Sequence, residues 1–299
     1  MDDLNLRCVA PVGNLCGEGA TWCAAEQALY WTDVNRFLVH RLTVATGAVE
    51  SWFFDEPCVA LSLTDRPGTL LLGIGSRLLL WQPWGDVRTP HGFALERWPA
   101  ARLNEGRAGP GGEFWIGSMS NNVGPDGGHV ELEGARGQLF RLIDGQAPRM
   151  FKDGIVISNT MCFSPDRRHL YFGDTVPNVI WRHDYDAATR SISNETPFFA
   201  GFDRGRPDGS AIDAEGCLWN TRFGGKCLVR VAPDGSIDRI VELPVSNPTT
   251  CAFGGPDLRT LYITSASVYL DGHERLAGSL FALDAPAPGL PENRYRLAG

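Results

Sequence analysis

The chain has no cluster of lysine and arginine: 27 basic residues are outnumbered by 35 acidic ones, and the formal charge is −8. Nucleic acid and anionic membrane are both held by concentrated positive charge, so neither is expected as a partner, and a small molecule is. Long apolar runs are missing too. The longest, such as Leu70 to Ile74, fall far short of a bilayer, and Met1-Asp2-Asp3-Leu4 is acidic where a secretion signal would be apolar. A soluble, cytoplasmic protein is expected. The eight cysteines (Cys8, Cys16, Cys23, Cys58, Cys162, Cys217, Cys227, Cys251) include no C-x-x-C pair, which argues against a zinc knuckle or a disulfide framework and for buried thiols. No serine sits in a G-x-S-x-G elbow. His40, His91, His129, His169, His183 and His273 form no metal-spaced pair, and Gly73-Ile74-Gly75 lacks the third glycine of a dinucleotide fingerprint.

What the chain has in quantity is turn formers and aromatics: 35 Gly, 20 Pro, 9 Trp and 15 Phe among 299 residues. That composition tilts the expectation toward many short strands. A short apolar strand recurs six times, as Leu29-Tyr30-Trp31, Leu70 to Ile74, Phe114-Trp115-Ile116, Leu170-Tyr171-Phe172, Leu218-Trp219 and Leu261-Tyr262-Ile263, at intervals of about 41 to 56 residues. Turn-like stretches such as Thr64-Asp65-Arg66-Pro67-Gly68 and Asp213-Ala214-Glu215-Gly216 precede these strands. Alternating strands follow them, among them Phe37 to Leu42, Arg77 to Trp81 and Cys227 to Val231. Thr46-Gly47, Asp144-Gly145 and Asp234-Gly235 then supply residues for tight hairpins.

One repeat is thus a four-stranded antiparallel meander. Such a unit cannot bury both faces alone, and six of them close most simply into an all-β, six-bladed β-propeller, a single domain over 1–299 with blades starting near 18, 59, 104, 159, 208 and 250. The segment Asn121 to Arg136 reads as a loop inserted in blade three that overhangs the channel mouth. The segments Asn5 to Ala10 and Tyr295 to Leu297 are expected to lock the last blade to the first.

Ten or eleven residues before each apolar strand lie Glu18, Val59, Asn104, Asn159, Asp208 and Thr250. In a propeller that phase is the entrance of the innermost strand, so four oxygen-bearing chelators are expected to face one end of the channel. Each alone reads as an ordinary turn or strand-end residue; the shared phase is the signal. Two carboxylates and two amides brought together in a desolvated mouth repel one another unless a cation sits among them. Oxygen donors without cysteine or histidine suit calcium, magnesium or manganese, and zinc also accepts carboxylates. Arg102 falls two residues before Asn104, so both are expected to face the same opening.

These residues, in their order, resemble the gluconolactonase, regucalcin and senescence-marker-protein family, a resemblance carried by Leu15 to Trp22, Arg102 to Arg107, Ile157 to Thr160, Arg206 to Gly209, Asp213 to Trp219 and Cys251 to Gly255. It implies a divalent metal held by Glu18, Asn159 and Asp208, and substrate gripped by Arg102 and Asn104. Glu105 stands where the family usually has aspartate, and Asn122 lies near the place of an acidic residue found in some members; both are carried over as substrate contacts. The implied activity is hydrolysis of an aldonolactone such as arabinono-, xylono-, galactono- or gluconolactone. In that scheme the cation polarises the carbonyl and activates water, Asp208 is the general base, Glu18 balances charge, and Arg102 stabilises the oxyanion or holds ring hydroxyls. A non-enzymatic calcium-binding regulator and a metal-dependent arylesterase or phosphotriesterase use the same fold and metal. A protein-interaction propeller leaves the four chelators unexplained.

Overall fold

The computed structural model describes residues 4–270 and 274–298; residues 1–3 and His273, both read above, lie outside the described residues. The chain forms six sheets, each a four-stranded antiparallel set to which one sheet adds a short parallel fifth strand, and no helix occurs among the described residues. Blade one is a meander of Gly17–Cys23, Ala28–Asp33, Leu38–Thr43 and Ala48–Phe53, and blades two to five repeat it. Their innermost strands are Cys58–Thr64, Ala101–Ala108, Ser158–Phe163 and Arg206–Ile212, and that of blade six is Pro248–Gly254. Each innermost strand packs on the next and the sixth returns to the first, which closes the ring around a central channel. All six apolar strands of the sequence repeat fall in the second strand of a blade.

Burial between blades drives the closure. Tyr30, Trp115 and Trp219 occupy matching places in their second strands, and with Trp22, Trp31 and Trp81 they are among the largest fully buried side chains. Each removes roughly 200 Å² from water, on the order of 5 kcal/mol before conformational entropy is subtracted. The tryptophans are core, as their strand spacing suggests.

Closure comes from both ends, in different places. Arg7–Ala10 pairs antiparallel with Leu280–Asp284 as the outermost strand of blade six, so the N-terminal segment does lock the last blade. The C-terminal expectation is corrected. Arg294–Tyr295 pairs parallel with Leu63 and Thr64 of blade two, not with the last blade. To reach there the chain crosses the channel face opposite the chelators. Ala214 donates to Pro288 at 2.8 Å, Asn293 to the Ala108 carbonyl at 3.2 Å and Arg296 to the Gly112 carbonyl at 2.9 Å. The anchor is Tyr295, 1% exposed, set edge-on to Phe114 with ring centroids 6.1 Å apart. An aromatic ring that fills the seam between blades two and three gains more than an edge strand pair would.

Candidate active site at the channel mouth

A bulge recurs at the chelator phase. In every blade the pairing of the innermost strand with its neighbour slips once: between Glu18 and Thr21, Cys58 and Ala60, Leu103 and Gly106, Asn159 and Met161, Pro207 and Ser210, and Pro248 and Cys251. A bulge sets two residues against one and re-aims their side chains, so the six slips turn one residue per blade toward the channel. The flanking glycines serve this geometry. Gly19 adopts φ +61°, which an L side chain takes only with strain, and a Cβ on Gly209 would collide with Thr250 of the next blade. The loop before the strand is held by an acid from the same hairpin. Asp33 accepts the N–H groups of Leu15 and Cys16 at 3.0 and 3.1 Å, and Asp174 those of Val156 and Ile157 at 2.9 and 3.0 Å.

The result is a cavity of about 130 Å³ in the mouth, lined by Glu18, Arg102, Asn104, Asn122, Asn159 and Asp208 together with Asn35, Thr175 and an apolar rim. A relay of hydrogen bonds runs round half of it. Arg102 donates from Nε and Nη2 to Asn122 Oδ1 at 3.0 and 2.8 Å, and from Nη1 to Asn104 Oδ1 at 2.6 Å. Asn104 Nδ2 donates to the Ser158 carbonyl at 2.8 Å and, more weakly, to Asn159 Oδ1 at 3.4 Å. Asn159 Nδ2 donates to Thr175 Oγ1 at 2.8 Å, whose hydroxyl in turn donates to the Pro207 carbonyl at 2.9 Å. The relay engages an amide N–H of Asn159 with Thr175, and the Asn159 oxygen, which accepts only the long 3.4 Å contact from Asn104, keeps a lone pair for a ligand.

Across from the relay, Glu18 and Asp208 lie within hydrogen-bonding reach of each other. Burial first, then mutual repulsion and the charge of Glu105, push the Glu18 carboxyl well above its ordinary range; burial and Glu105 do the same to Asp208. Two acids, Asp208 buried and Glu18 half-buried, that hold their protons this strongly next to an amide oxygen suit a hard divalent cation: it would keep both ionised and repay their desolvation. Burial also draws the Arg102 guanidinium down to about 10, while the neighbouring acids oppose that shift. The Cys16 thiol lines the same cavity but is pushed well above its usual value by burial and by Glu18 and Asp208, which makes it a poor nucleophile.

Glu105, expected as a substrate contact, does not line this cavity. The bulge at Leu103 to Gly106 sets both Asn104 and Glu105 opposite Gly117, and the longer acid lies one layer down the channel. There it borders a void of about 10 Å³ with Arg107, Thr250 and Glu292, and burial raises it to about 7. Farther down, between Arg107 and the C-terminal segment, is a larger cavity of about 290 Å³ whose one acid, Glu292, is 3.4 Å from Arg107. Asp213, Glu215 and Cys217 also converge, but Arg230 bridges the two acids at 2.8 and 2.6 Å, and Asp213 accepts the Trp219 indole N–H at 2.9 Å. That cluster is a closed ion-pair network. All eight cysteines are free thiols, six of them buried.

Three residues at the mouth escaped the repeat. Thr175 and Asn35 follow the second strands of blades four and one, and Tyr269 follows that of blade six. A chelator census at the entrance of first strands passes over the exits of second strands, although the antiparallel hairpin puts both at the same end of the channel.

The family model described as SMP-30/Gluconolactonase/LRE-like region matches residues 16–267. The chain is 33% identical to a 6-deoxy-6-sulfogluconolactonase of Pseudomonas putida over 96% of its own length and 97% of the relative's. It is 32% identical to a pentonolactonase of Haloferax volcanii over 93% and 94%. Among solved structures, a calcium-binding regucalcin of Agrobacterium tumefaciens superposes with a TM-score of 0.89 at 30% identity, with 97% of each chain covered.

Proposed function

This chain belongs to the SMP-30/gluconolactonase/LRE-like family, and from that premise we propose that it is a lactonase that opens the ring of a sugar-acid lactone with the help of one divalent cation. The observation that carries the reading is the meeting of the half-buried Glu18 and buried Asp208 carboxyls with the amide oxygen of Asn159 beside a buried guanidinium, in one cavity the size of a small ring. Glu18, Asn159 and Asp208 are the residues that would hold the cation. When bound, such a cation supplies a Lewis acid for the carbonyl and lowers the pKa of water.

The chain's own groups perform the rest. Asp208 takes the proton from the attacking water as its oxygen bonds to the lactone carbonyl carbon. Arg102, held by Asn122 and Asn104, points its remaining N–H at the oxygen that becomes anionic. As the ring C–O bond breaks, the proton on Asp208 passes to the ring oxygen, which leaves as a hydroxyl. The aldonic acid then ionises and releases one proton to solvent.

The named relatives act on a sulfogluconolactone and a pentonolactone, which supports a sugar-acid substrate and leaves ring size and metal to experiment. A second reading, metal-dependent hydrolysis of aryl esters, is favoured by the apolar rim of Val34, Met119, Ile157, Phe223 and Val268. The test is proton release from a panel of aldonolactones and phenyl acetate, with chelator-stripped protein, with calcium, zinc, magnesium or manganese restored, and with Asp208→Ala. Lactone turnover that needs both metal and Asp208 supports the proposal. Metal binding without lactone turnover overturns it in favour of a cation-binding regulator, and turnover of the aryl ester alone in favour of the esterase.

A further inference from the structure

The mouth carries one aromatic residue that the chemistry above does not use. Tyr269 lines the cavity, yet it is 57% exposed in a protein whose other tyrosines are buried. Its backbone is at φ +61°, a left-handed conformation that costs a bulky L residue roughly 1–2 kcal/mol. Folding alone does not repay that strain with burial.

The ring is nevertheless held from two sides. Its hydroxyl is 2.9 Å from His129 Nδ1 in the loop inserted in blade three, and the two rings are perpendicular at 87° with centroids 5.0 Å apart. On the other side it meets Phe223 of blade five at 70°, centroids 6.4 Å apart. Three blades therefore converge to fix one exposed aromatic plane. The same loop is anchored to blade one by Asn35, which donates to the Gly127 carbonyl at 2.8 Å, and to the site floor by Asn122 on Arg102.

We infer that Tyr269 is a specificity-determining residue whose ring packs against the C–H face of a sugar lactone while its hydroxyls face the polar wall of Arg102, Asn104 and Asn122. A lactonised sugar is amphipathic in just this sense: hydroxyls project around the ring edge and C–H bonds cover its faces. A rigid aromatic plane on one wall and amide and guanidinium donors on the other match both parts, and the plane is fixed before substrate arrives, so little freedom is lost on binding. The inference rests on the lactonase reading and adds to it the surface that recognises the ring.

The experiment compares wild type, Tyr269→Ala and Tyr269→Phe in the metal-restored protein, by steady-state kinetics on the best aldonolactone and by calorimetric binding of the corresponding aldonolactam, which the enzyme does not open. Tyr269→Ala is expected to raise KM and the lactam Kd about tenfold with kcat within about threefold, and Tyr269→Phe to stay within about threefold of wild type in all three. An unchanged KM and Kd in Tyr269→Ala overturns the inference. So does a loss in Tyr269→Phe as large as in Tyr269→Ala, which would assign the effect to the His129 hydrogen bond. If wild type binds the lactam but opens no lactone, the catalytic reading fails while the Kd ratio still decides the role of Tyr269; if wild type does neither, both fail.

Discussion

Arg102 directs two N–H groups at a single acceptor, the amide oxygen of Asn122, at 3.0 and 2.8 Å, and thereby ties the loop inserted in blade three to the floor of the site. The same guanidinium reaches Asn104 at 2.6 Å, so one planar group sets the orientation of two others. A lysine has the charge but not the fork. Arg102→Lys is expected to lower kcat/KM about a hundredfold, mostly in kcat, while Tm falls by less than about 4 °C. Steady-state kinetics beside a thermal melt check this; equal losses in activity and fold would make Arg102 a structural residue only.

Glu18 and Asp208 share the mouth: burial raises the proton affinity of both, Asp208 raises that of Glu18 further, and a hydrogen bond with Glu18 partly offsets the rise at Asp208. Without metal, the amide of an Asp208→Asn variant keeps the hydrogen bond to Glu18 and removes one charge from the pair. The metal-free variant is therefore expected to be more stable than metal-free wild type by about 1 kcal/mol, and inactive. Added metal at a hundredfold excess over Kd should stabilise wild type by about 2.7 kcal/mol and leave the variant unmoved. Urea unfolding with and without metal tests both halves, and a variant that gains as much from metal as wild type would remove Asp208 from the ligand set.

The six blades were legible because the apolar second strand repeats, and aromatic residues such as Tyr30, Trp115 and Trp219 recur at the same place in it. The chelator phase was legible for the same reason, and Glu18, Asn104, Asn159 and Asp208 meet where that phase puts them. Glu105 was not. Strict alternation along the strand and the bulge at Leu103 to Gly106 give different directions for its side chain, and a bulge is set by the closing ring rather than by its own sequence. The partner of Tyr295 was equally hidden, since a two-residue strand has no pattern of its own and takes its place from the seam beside Phe114. Tyr269 lies outside the repeat and carries no local signal except its strained backbone.

His40 gives the fold a pH limit. It is 6% exposed, 2.7 Å from Ser51 Oγ and tilted at 32° against Trp31 with ring centroids 5.0 Å apart, and burial draws it down to about 4. In the unfolded chain it titrates near its ordinary value, so between about pH 4 and 6.5 the unfolded state binds the extra proton and stability rises with pH. The contribution is complete above about pH 6.5 and lost below it, a difference of about 2 kcal/mol between pH 7.5 and pH 5. His91 and His183 are also lowered by burial, so the comparison is with His40→Gln, which keeps a hydrogen-bonding group and does not titrate. Urea unfolding at the two pH values should show wild type losing about 2 kcal/mol more than the variant; equal losses would place the sensitivity elsewhere.

Tyr295 separates closure from chemistry. Its ring is 1% exposed, meets Phe114 and His91 edge-on, and its hydroxyl is 3.1 Å from His91 Nε2. Tyr295→Ala leaves a cavity in the seam between blades two and three and is expected to cost about 3–5 kcal/mol, a fall in Tm of about 10 °C. The site lies at the other end of the channel, so kcat/KM at 25 °C should remain within about threefold of wild type. A calorimetric scan and a kinetic assay on the same preparation distinguish the outcomes. If Tm falls and turnover holds, the C-terminal segment is a clasp. If turnover collapses as well, the path runs up the channel through Glu292, Arg107 and Glu105, which border one internal void and connect the tail to the layer just beneath Asp208.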